Sequence, residues 1–141
     1  MAYDPASHAV VLVSPLSGDN SHSATYRWNG SSWGALVTDG PGVDGIAVDP
    51  LVHGLVACGP TTYSAAFAVH ASCWQWTSIN WVPAQPSLPS TSNRSVTIDA
   101  EIDDVDRAQL LLIGWPVPPF QNQAHPLYVW AWDGYTWRLL A

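Results

Sequence analysis

One stretch of the sequence decides the fold: Trp130-Ala131-Trp132-Asp133-Gly134-Tyr135-Thr136-Trp137. It has two counterparts with the same aromatic spacing, Trp74-Gln75-Trp76-Thr77-Ser78-Ile79-Asn80-Trp81 and Tyr26-Arg27-Trp28-Asn29-Gly30-Ser31-Ser32-Trp33. Most of the nine tryptophans of this 141-residue chain therefore fall in register. Self-similarity at a fixed period is the signature of a repeat architecture, in which each repeat is one supersecondary unit.

Two further signatures precede each copy of the aromatic stretch. The first contains an aspartate: Ala2-Tyr3-Asp4-Pro5, Ala47-Val48-Asp49-Pro50 and Thr97-Ile98-Asp99-Ala100. The second is an apolar run at 10–13, 55–58 and 110–113. The repeat offsets are 45 then 50 residues at the aspartate, and 48 then 56 at the last tryptophan. Such lengths suit a four-stranded propeller blade of about 40–50 residues.

Each repeat is predicted to form four antiparallel strands, A to D, because short apolar runs alternate with Pro- and Gly-containing turns. Asn29-Gly30 and Asp133-Gly134 fall between strands C and D, where residues that tolerate positive φ favour a tight hairpin. The predicted strands are A at 1–4, 45–49 and 95–99; B at 9–14, 54–59 and 109–114; C at 24–28, 71–76 and 127–132; D at 33–37, 81–84 and 137–140. The fold class is thus all-β, with three four-stranded antiparallel blades at 1–40, 41–90 and 91–141.

A strand ending in Asp-Pro, an aliphatic strand and then aromatic-x-Trp-Asp/Asn-Gly-x-x-Trp resembles bacterial kelch-type repeats, like the blades of galactose-oxidase central domains. The resemblance extends over nearly the whole chain. The pattern departs where Gly-Gly usually follows strand B, since the chain has Ser14-Pro15, Gly59-Pro60 and Gly114-Trp115 there. The resemblance implies a β-propeller scaffold with a binding face, in a family of which only a few members are enzymes.

Composition narrows the class of partner. The net charge is −7, with four arginines, no lysine and eleven acidic residues, whereas nucleic-acid binding needs a basic footprint. The same charge argues against anionic membrane surfaces. Richness in Ser, Thr, Gly, Pro and Trp without lysine is typical of secreted bacterial proteins, so we expect an extracellular or cell-surface location. Met1 leads straight into strand-like sequence, and we expect the chain to be cut from something longer.

The aromatic and acidic positions of the repeat have a structural and a functional interpretation. Aromatic side chains that alternate along strand C share one face of the blade, so they are expected to fill the space between blades. Asp4, Asp49 and Asp99 are expected to accept backbone N–H groups in the turn between strands A and B. The alternatives are a ligand-binding role for single tryptophans and a catalytic role for carboxylates around a central channel.

A ligand is expected on the face that carries the connections between strands B and C. These loops are the long ones, at 15–23, 60–70 and 115–126, and long loops on a rigid scaffold concentrate function. The connections between blades, at 38–44 and 85–94, lie on the same face. The loops carry six candidate binding residues without repeat equivalents: Tyr63, Phe67, Trp115, Phe120, His22 and His125. The alternative is that these residues only close over the blade ends.

The sequence offers no catalytic constellation and no cofactor motif. Gly30-Ser31-Ser32-Trp33-Gly34 matches the nucleophile-elbow pattern, but it falls in a strand-to-strand turn rather than a strand-to-helix turn. Glu101, Asp103, Asp104 and Asp106 are a weak calcium candidate in an enlarged A–B turn of the third blade, since four carboxylates could supply oxygen ligands. A solvated acidic turn is the simpler interpretation. No other metal site is expected.

Cys58 and Cys73 occupy strands B and C of the second blade, where they could face each other across the hairpin. The sequence is compatible both with a disulfide and with a pair of free buried thiols. A Cα separation above about 7 Å would exclude the disulfide.

Three blades are too few to close a propeller ring, which has about four to eight. The sequence therefore predicts a non-catalytic interaction or structural module that completes a ring by self-association, as a head-to-tail homodimer with six blades. Further blades of a longer chain, or an open filament of repeated head-to-tail contacts, are the alternatives. A glycan-binding propeller that uses loop aromatics, Trp115, Phe120 and Tyr63, is the alternative function.

Overall fold

The computed structural model describes residues 1–16, 19–60, 71–84, 96–116, 127–133 and 136–140, and these residues form three separate antiparallel sheets of four strands. Blade 1 contains β1 (Ala2–Asp4), β2 (Ala9–Leu16), β3 (Asp19–Trp28) and β4 (Trp33–Pro41). Blade 2 contains β5 (Gly45–Asp49), β6 (Gly54–Pro60), β7 (Ala71–Trp76) and β8 (Trp81–Pro83). Blade 3 contains β9 (Val96–Asp104), β10 (Gln109–Pro116), β11 (Tyr128–Trp132) and β12 (Trp137–Leu139), with a 3₁₀ turn at Val105–Arg107.

In every sheet the strands are hydrogen-bonded in chain order, so each blade is a meander. The first strands of the blades lie side by side, since β5 contacts both β1 and β9. The predicted all-β class with three four-stranded antiparallel sheets in a propeller-like arrangement is confirmed. Within the described part of the chain, no helix is long and apolar enough to cross a membrane.

The turn between the last two strands is built the same way in each blade. Its first residue accepts a hydrogen bond from the residue three positions on: Ser32 N to Asn29 Oδ1 at 2.9 Å, Asn80 N to Thr77 Oγ1 at 3.2 Å, and Thr136 N to Asp133 Oδ1 at 2.9 Å. Short polar side chains compete well for backbone donors in turns. Gly30 has a φ of +100°, which explains the glycine after Asn29.

Each of these turns brings two indoles together. The ring centroids lie 5.4 Å apart in Trp28–Trp33, 5.0 Å in Trp76–Trp81 and 5.3 Å in Trp132–Trp137, with interplanar angles of 53°, 49° and 40°. Tilted pairs at this spacing satisfy the quadrupoles of both rings. The aromatic spacing in the sequence thus encodes one structural unit that occurs three times.

The predicted register of the first strand of blade 3 is wrong. The aspartate that ends this strand is Asp104 and not Asp99: Asp4 Oδ1 accepts from Ala6 N, Asp49 Oδ1 from Leu51 N and Asp104 Oδ1 from Arg107 N. The residues closing the three turns, His8, His53 and Ala108, share a φ of about +50°. Strand β9 therefore runs on through the residues assigned to an enlarged turn. Asp99 was chosen because Asp99-Ala100 resembles the Asp-Pro signature of the other two blades. Asp104 is followed by valine and lacks that signature.

Blade 1 also departs from the prediction at its opposite end. The loop expected at 15–23 is mostly strand, because β2 continues to Leu16 and β3 begins at Asp19. Strand β4 continues to Pro41, into the expected connection between blades. Ser23 holds this extension, since its hydroxyl donates to the Pro41 carbonyl at 2.6 Å. This stretch was predicted to be a loop because its side chains are mostly polar. The strands pair there through main-chain hydrogen bonds, which require no apolar pattern.

Two apolar clusters hold the three blades together, as period-two alternation in a strand predicts. Each sheet has a Trp-bearing face and an opposite face, here called the aliphatic face. Between blades 1 and 2 the buried cluster consists of Val11, Leu55, Ala57, Trp76 and Trp81. Between blades 2 and 3 it consists of Ala47, Val56, Cys58, Cys73, Leu110, Leu112, Trp130 and Trp132. At both boundaries the Trp-bearing face of one blade covers the aliphatic face of the blade before it.

Candidate functional site

Most of the loop residues predicted to bind a ligand lie outside the described residues. This applies to Tyr63, Phe67, Phe120 and His125. Trp115 lies in β10, opposite Thr97 in the register with β9. His22 is exposed but belongs to β3 rather than to a loop, and its Nδ1 lies 2.6 Å from Asp39 Oδ1 on β4. The predicted loop site therefore stays a prediction.

The structure places a cleft between blades 2 and 3. Its volume is about 250 Å³. Blade 2 contributes residues from the A–B turn and from β7, among them Asp49, Val52 and Gln75. Blade 3 contributes Trp132 and Trp137 from its indole pair. The cleft is thus a gap in the boundary between two blades.

A difference between the two blade boundaries explains why the gap occurs here. Between blades 1 and 2, Trp81 is only 6% exposed and its Nε1 donates a buried hydrogen bond to Thr25 Oγ1 at 2.8 Å. The corresponding residues between blades 2 and 3 are Trp137 and Cys73. Within the described part of the structure nothing accepts a hydrogen bond from Trp137 Nε1, and this indole remains partly exposed.

Cys73 cannot play the part of Thr25 because it is joined to Cys58 by a disulfide. The two residues pair directly across β6 and β7, with their Cα atoms 4.1 Å apart. The bond lies on the aliphatic face of blade 2, in the same buried cluster as Leu110 and Leu112. It fixes the sheet that forms one wall of the cleft.

The polar wall of the cleft comes from Asp49 and Gln75. Asp49 is 3% exposed, and its Oδ1 is held by the Leu51 backbone N–H at 2.9 Å. Gln75 is partly exposed, and its amide makes no hydrogen bond to any described residue. The repeat has Arg27 and Ala131 at the position of Gln75, so a neutral amide occurs there in blade 2 only.

The acidic residues predicted as a weak calcium site do not share one turn. Strand β9 contains Glu101, Asp103 and Asp104, whereas Asp106 lies in the 3₁₀ turn that follows. Asp104 Oδ2 is bound by Arg107 Nη1 at 2.9 Å, and this hydrogen bond holds the pKa of Asp104 below its ordinary value. Asp103 points towards blade 2, and its Oδ1 is buried without a partner among the described residues. Burial, followed by the charges of Asp104 and Asp49, raises the pKa of Asp103.

Asp106 is exposed, and the side chain of Glu101 lies outside the described set. Among the described residues, no three His, Cys, Asp or Glu side chains come together as metal ligands.

Sequence reasoning missed this cleft because each of its residues had a structural interpretation. Trp132 and Trp137 belong to the repeat, and Asp49 ends a strand like its equivalents. The available signal was Gln75, the position between two repeat aromatics at which the three blades differ in charge and size.

Comparison with known proteins identifies no family for this chain. No protein-family model matches the sequence, and the search of curated proteins gave no match. A solved structure of a fucose lectin from Kordia zhangzhouensis, in complex with methyl-fucoside, is 15% identical to this chain. The alignment covers 96% of this chain and 92% of the lectin chain, with a TM-score of 0.46. The kelch-type character of the repeats stays a prediction.

Proposed function

We propose that the chain is a non-catalytic binding module that holds a neutral saccharide in the cleft between blades 2 and 3. One observation carries the proposal: two indoles of blade 3 line the same cavity as a buried carboxylate of blade 2 and an amide of blade 2 that no described residue binds. Ligand sites are mostly apolar concavities with a few polar groups that fix orientation.

A sugar ring matches both kinds of wall. Its C–H face is apolar and packs on indole surface without demanding hydrogen bonds, and Trp137 is the indole of the cleft that is partly exposed. Its hydroxyls donate and accept along the ring edge. The Gln75 amide and the Trp137 N–H can bond to them, because neither is used within the described protein. The volume of about 250 Å³ is small for a ligand site and suits one ring.

Charge narrows the ligand class further. Asp49 is the charged residue in the wall of the cleft, and the whole chain carries −7. Acidic sugars and phosphates are therefore disfavoured. A quaternary ammonium group also binds indole faces, but it has no use for the amide and the indole N–H. The two indoles pack against each other at 5.3 Å, which leaves no cage between them. These features favour the polyhydroxylated ligand.

Isothermal titration calorimetry with a panel of neutral monosaccharides and their methyl glycosides tests the proposal, with choline and a sialic acid as competing ligand classes. We expect one neutral saccharide to bind with a Kd in the millimolar to high micromolar range. Gln75→Ala should weaken it about tenfold, the effect of losing about 1.4 kcal/mol. Trp137→Phe should weaken binding while keeping an aromatic ring in place.

Arg27→Ala is the matched control, since Arg27 occupies the same repeat position in blade 1 and lies away from the cleft. The Arg27→Ala variant should bind the saccharide with the same affinity as the unaltered chain. Loss of binding in Arg27→Ala but not in Gln75→Ala would refute this cleft. Binding of choline alone, or of no saccharide at millimolar concentration, would refute the proposed ligand class.

A further inference from the structure

We infer that a second copy of this chain docks on the end sheets, with the Trp-bearing face of blade 1 covering the aliphatic face of blade 3 of its partner. The inference goes beyond the saccharide cleft, which one chain forms by itself. It rests on the fact that the described structure contains the proposed contact twice already, between blades 1 and 2 and between blades 2 and 3.

The aliphatic faces of the three blades are equivalent position by position. In the strand registers Ala2 pairs with Val11, Ala47 with Val56 and Ile102 with Leu111. One step further along the sheets, Val13 pairs with Thr25, Cys58 with Cys73 and Ile113 with Val129. The first two of these faces are covered by the next blade. Blade 3 presents Ile102, Leu111, Ile113 and Val129 with no described blade against them.

Exposure reveals the same asymmetry at the two ends. Val11 is fully buried and Val56 is 6% exposed, whereas their equivalent in blade 3, Leu111, is partly exposed. Ile102, which pairs with Leu111, is 45% exposed. On the Trp-bearing side, Trp81 is 6% exposed but Trp33 is 42% exposed, although both belong to tilted pairs of nearly equal geometry. Trp33 is therefore shaped for a blade boundary that no described blade completes. Contiguous apolar surface of this kind marks an interface.

A second copy is the occupant that has both complementary surfaces. In the part of the chain that the structure describes, each copy has one Trp-bearing face and one aliphatic face that no blade covers, so two copies in head-to-tail contact cover all four. The product has six blades, within the range of about four to eight known for closed propellers. Closure by a two-fold axis makes the assembly finite, whereas a head-to-tail contact that fails to close makes a filament.

The proposed boundary lacks a buried polar contact that is present between blades 1 and 2. Thr25 accepts the hydrogen bond of Trp81 Nε1, but the equivalent residue facing Trp33 of the partner is Val129. Val129→Thr would place a hydroxyl where Thr25 has one. We expect this substitution to tighten the association about fivefold, the effect of one additional hydrogen bond. The gain should disappear in Trp33→Phe, which keeps a ring but has no N–H to donate.

Sedimentation velocity and native mass spectrometry across a concentration series test the inference. We expect a mass twice the 15.2 kDa of the chain, with Val129→Thr dissociating at lower concentration than the unaltered protein. Trp33→Arg and Leu111→Glu should each give monomers.

Ile79→Lys is the control, since Ile79 is 77% exposed in a turn of blade 2 that belongs to neither end face, and it should remain dimeric. A monomer at about 100 μM would overturn the inference, because the end faces would then need no second copy. Species that grow without limit would overturn the closed ring. Dimers unaffected by Trp33→Arg and Leu111→Glu would overturn the docking surface.

Discussion

Trp81 and Thr25 are 56 residues apart in the chain, yet the indole Nε1 of one donates a buried hydrogen bond of 2.8 Å to the hydroxyl of the other. The bond crosses the boundary between blades 1 and 2. A buried indole N–H without an acceptor costs free energy, so this contact fixes how the two sheets stack. The same position in the next boundary holds Cys73, and a cleft opens there.

Replacing Thr25 with valine should therefore destabilise the fold, because it leaves the indole N–H of Trp81 buried and unpaired. We expect a loss of about 1–3 kcal/mol in the free energy of unfolding, measured by urea denaturation. In a Trp81→Phe background the same replacement should cost much less, since the donor has gone. Equal costs in the two backgrounds would show that the hydrogen bond does not couple the blades.

Loss of the Cys58–Cys73 disulfide should destabilise blade 2. The bond closes a loop with a sequence separation of 15 residues, which is expected to contribute about 3 kcal/mol by restricting the unfolded chain. Adding a reductant should lower the unfolding midpoint of the unaltered protein. The double variant Cys58→Ala/Cys73→Ala should already have that low midpoint and should not respond to reductant. An unaltered protein that is equally insensitive would argue against the bond.

Ala108 tests the corrected register of blade 3. It has a φ of +49°, where a side chain is strained and glycine is not. Ala108→Gly should therefore stabilise the protein by about 0.5–1 kcal/mol. Ala35→Gly, at an exposed position of β4, should instead destabilise it by a similar amount. A loss of stability in Ala108→Gly would mean that the turn of blade 3 ends elsewhere.

Asp103 should make stability depend on pH in the opposite sense to a paired carboxylate. Its pKa is raised by burial and by the charges of Asp104 and Asp49, so its ionised form is less favourable in the folded chain than in the unfolded chain. This cost is present at neutral pH and disappears as the pH falls through the raised pKa. Asp103→Asn should unfold at a higher temperature than the unaltered protein at pH 7.

The advantage of Asp103→Asn should shrink towards pH 3.8, the ordinary pKa of the group. Asp104→Asn should have the opposite effect, since Arg107 holds the pKa of Asp104 down and the stability that its ionised form provides exists only above that pKa. A lower melting temperature for Asp103→Asn at pH 7 would show that this carboxylate has a partner.

The fold could be predicted from the sequence because the indole pairs are local. Trp28 and Trp33, like their equivalents, are close in the chain, and a turn with an Asn, Thr or Asp at its first position brings them together. The register of strand β9 was harder to predict from the sequence. Asp99 and Asp104 both end plausible strands, and only the pairing of Asp104 with Gln109 across the following turn selects the second.

The candidate cleft could not be predicted because it is a difference between two similar boundaries. Cys73 and Thr25 hold equivalent positions, but the effect of the exchange depends on which indole packs against them. That indole comes from the following blade, 56 residues beyond Thr25 for Trp81. Sequence reasoning looked for function in the long loops and treated the repeat itself as scaffold. Here the variation inside the repeat marks the candidate site.

The most direct test of the central claim, that the boundary between blades 2 and 3 is the ligand site, is the ¹H–¹⁵N spectrum of the indole N–H groups. Each tryptophan gives one signal, which can be assigned by single Trp→Phe replacement. Titration with the saccharide selected by calorimetry should move the signals of Trp132 and Trp137 and leave that of Trp81 unchanged. Saccharide-dependent shifts at Trp81 with none at Trp132 and Trp137 would contradict the account.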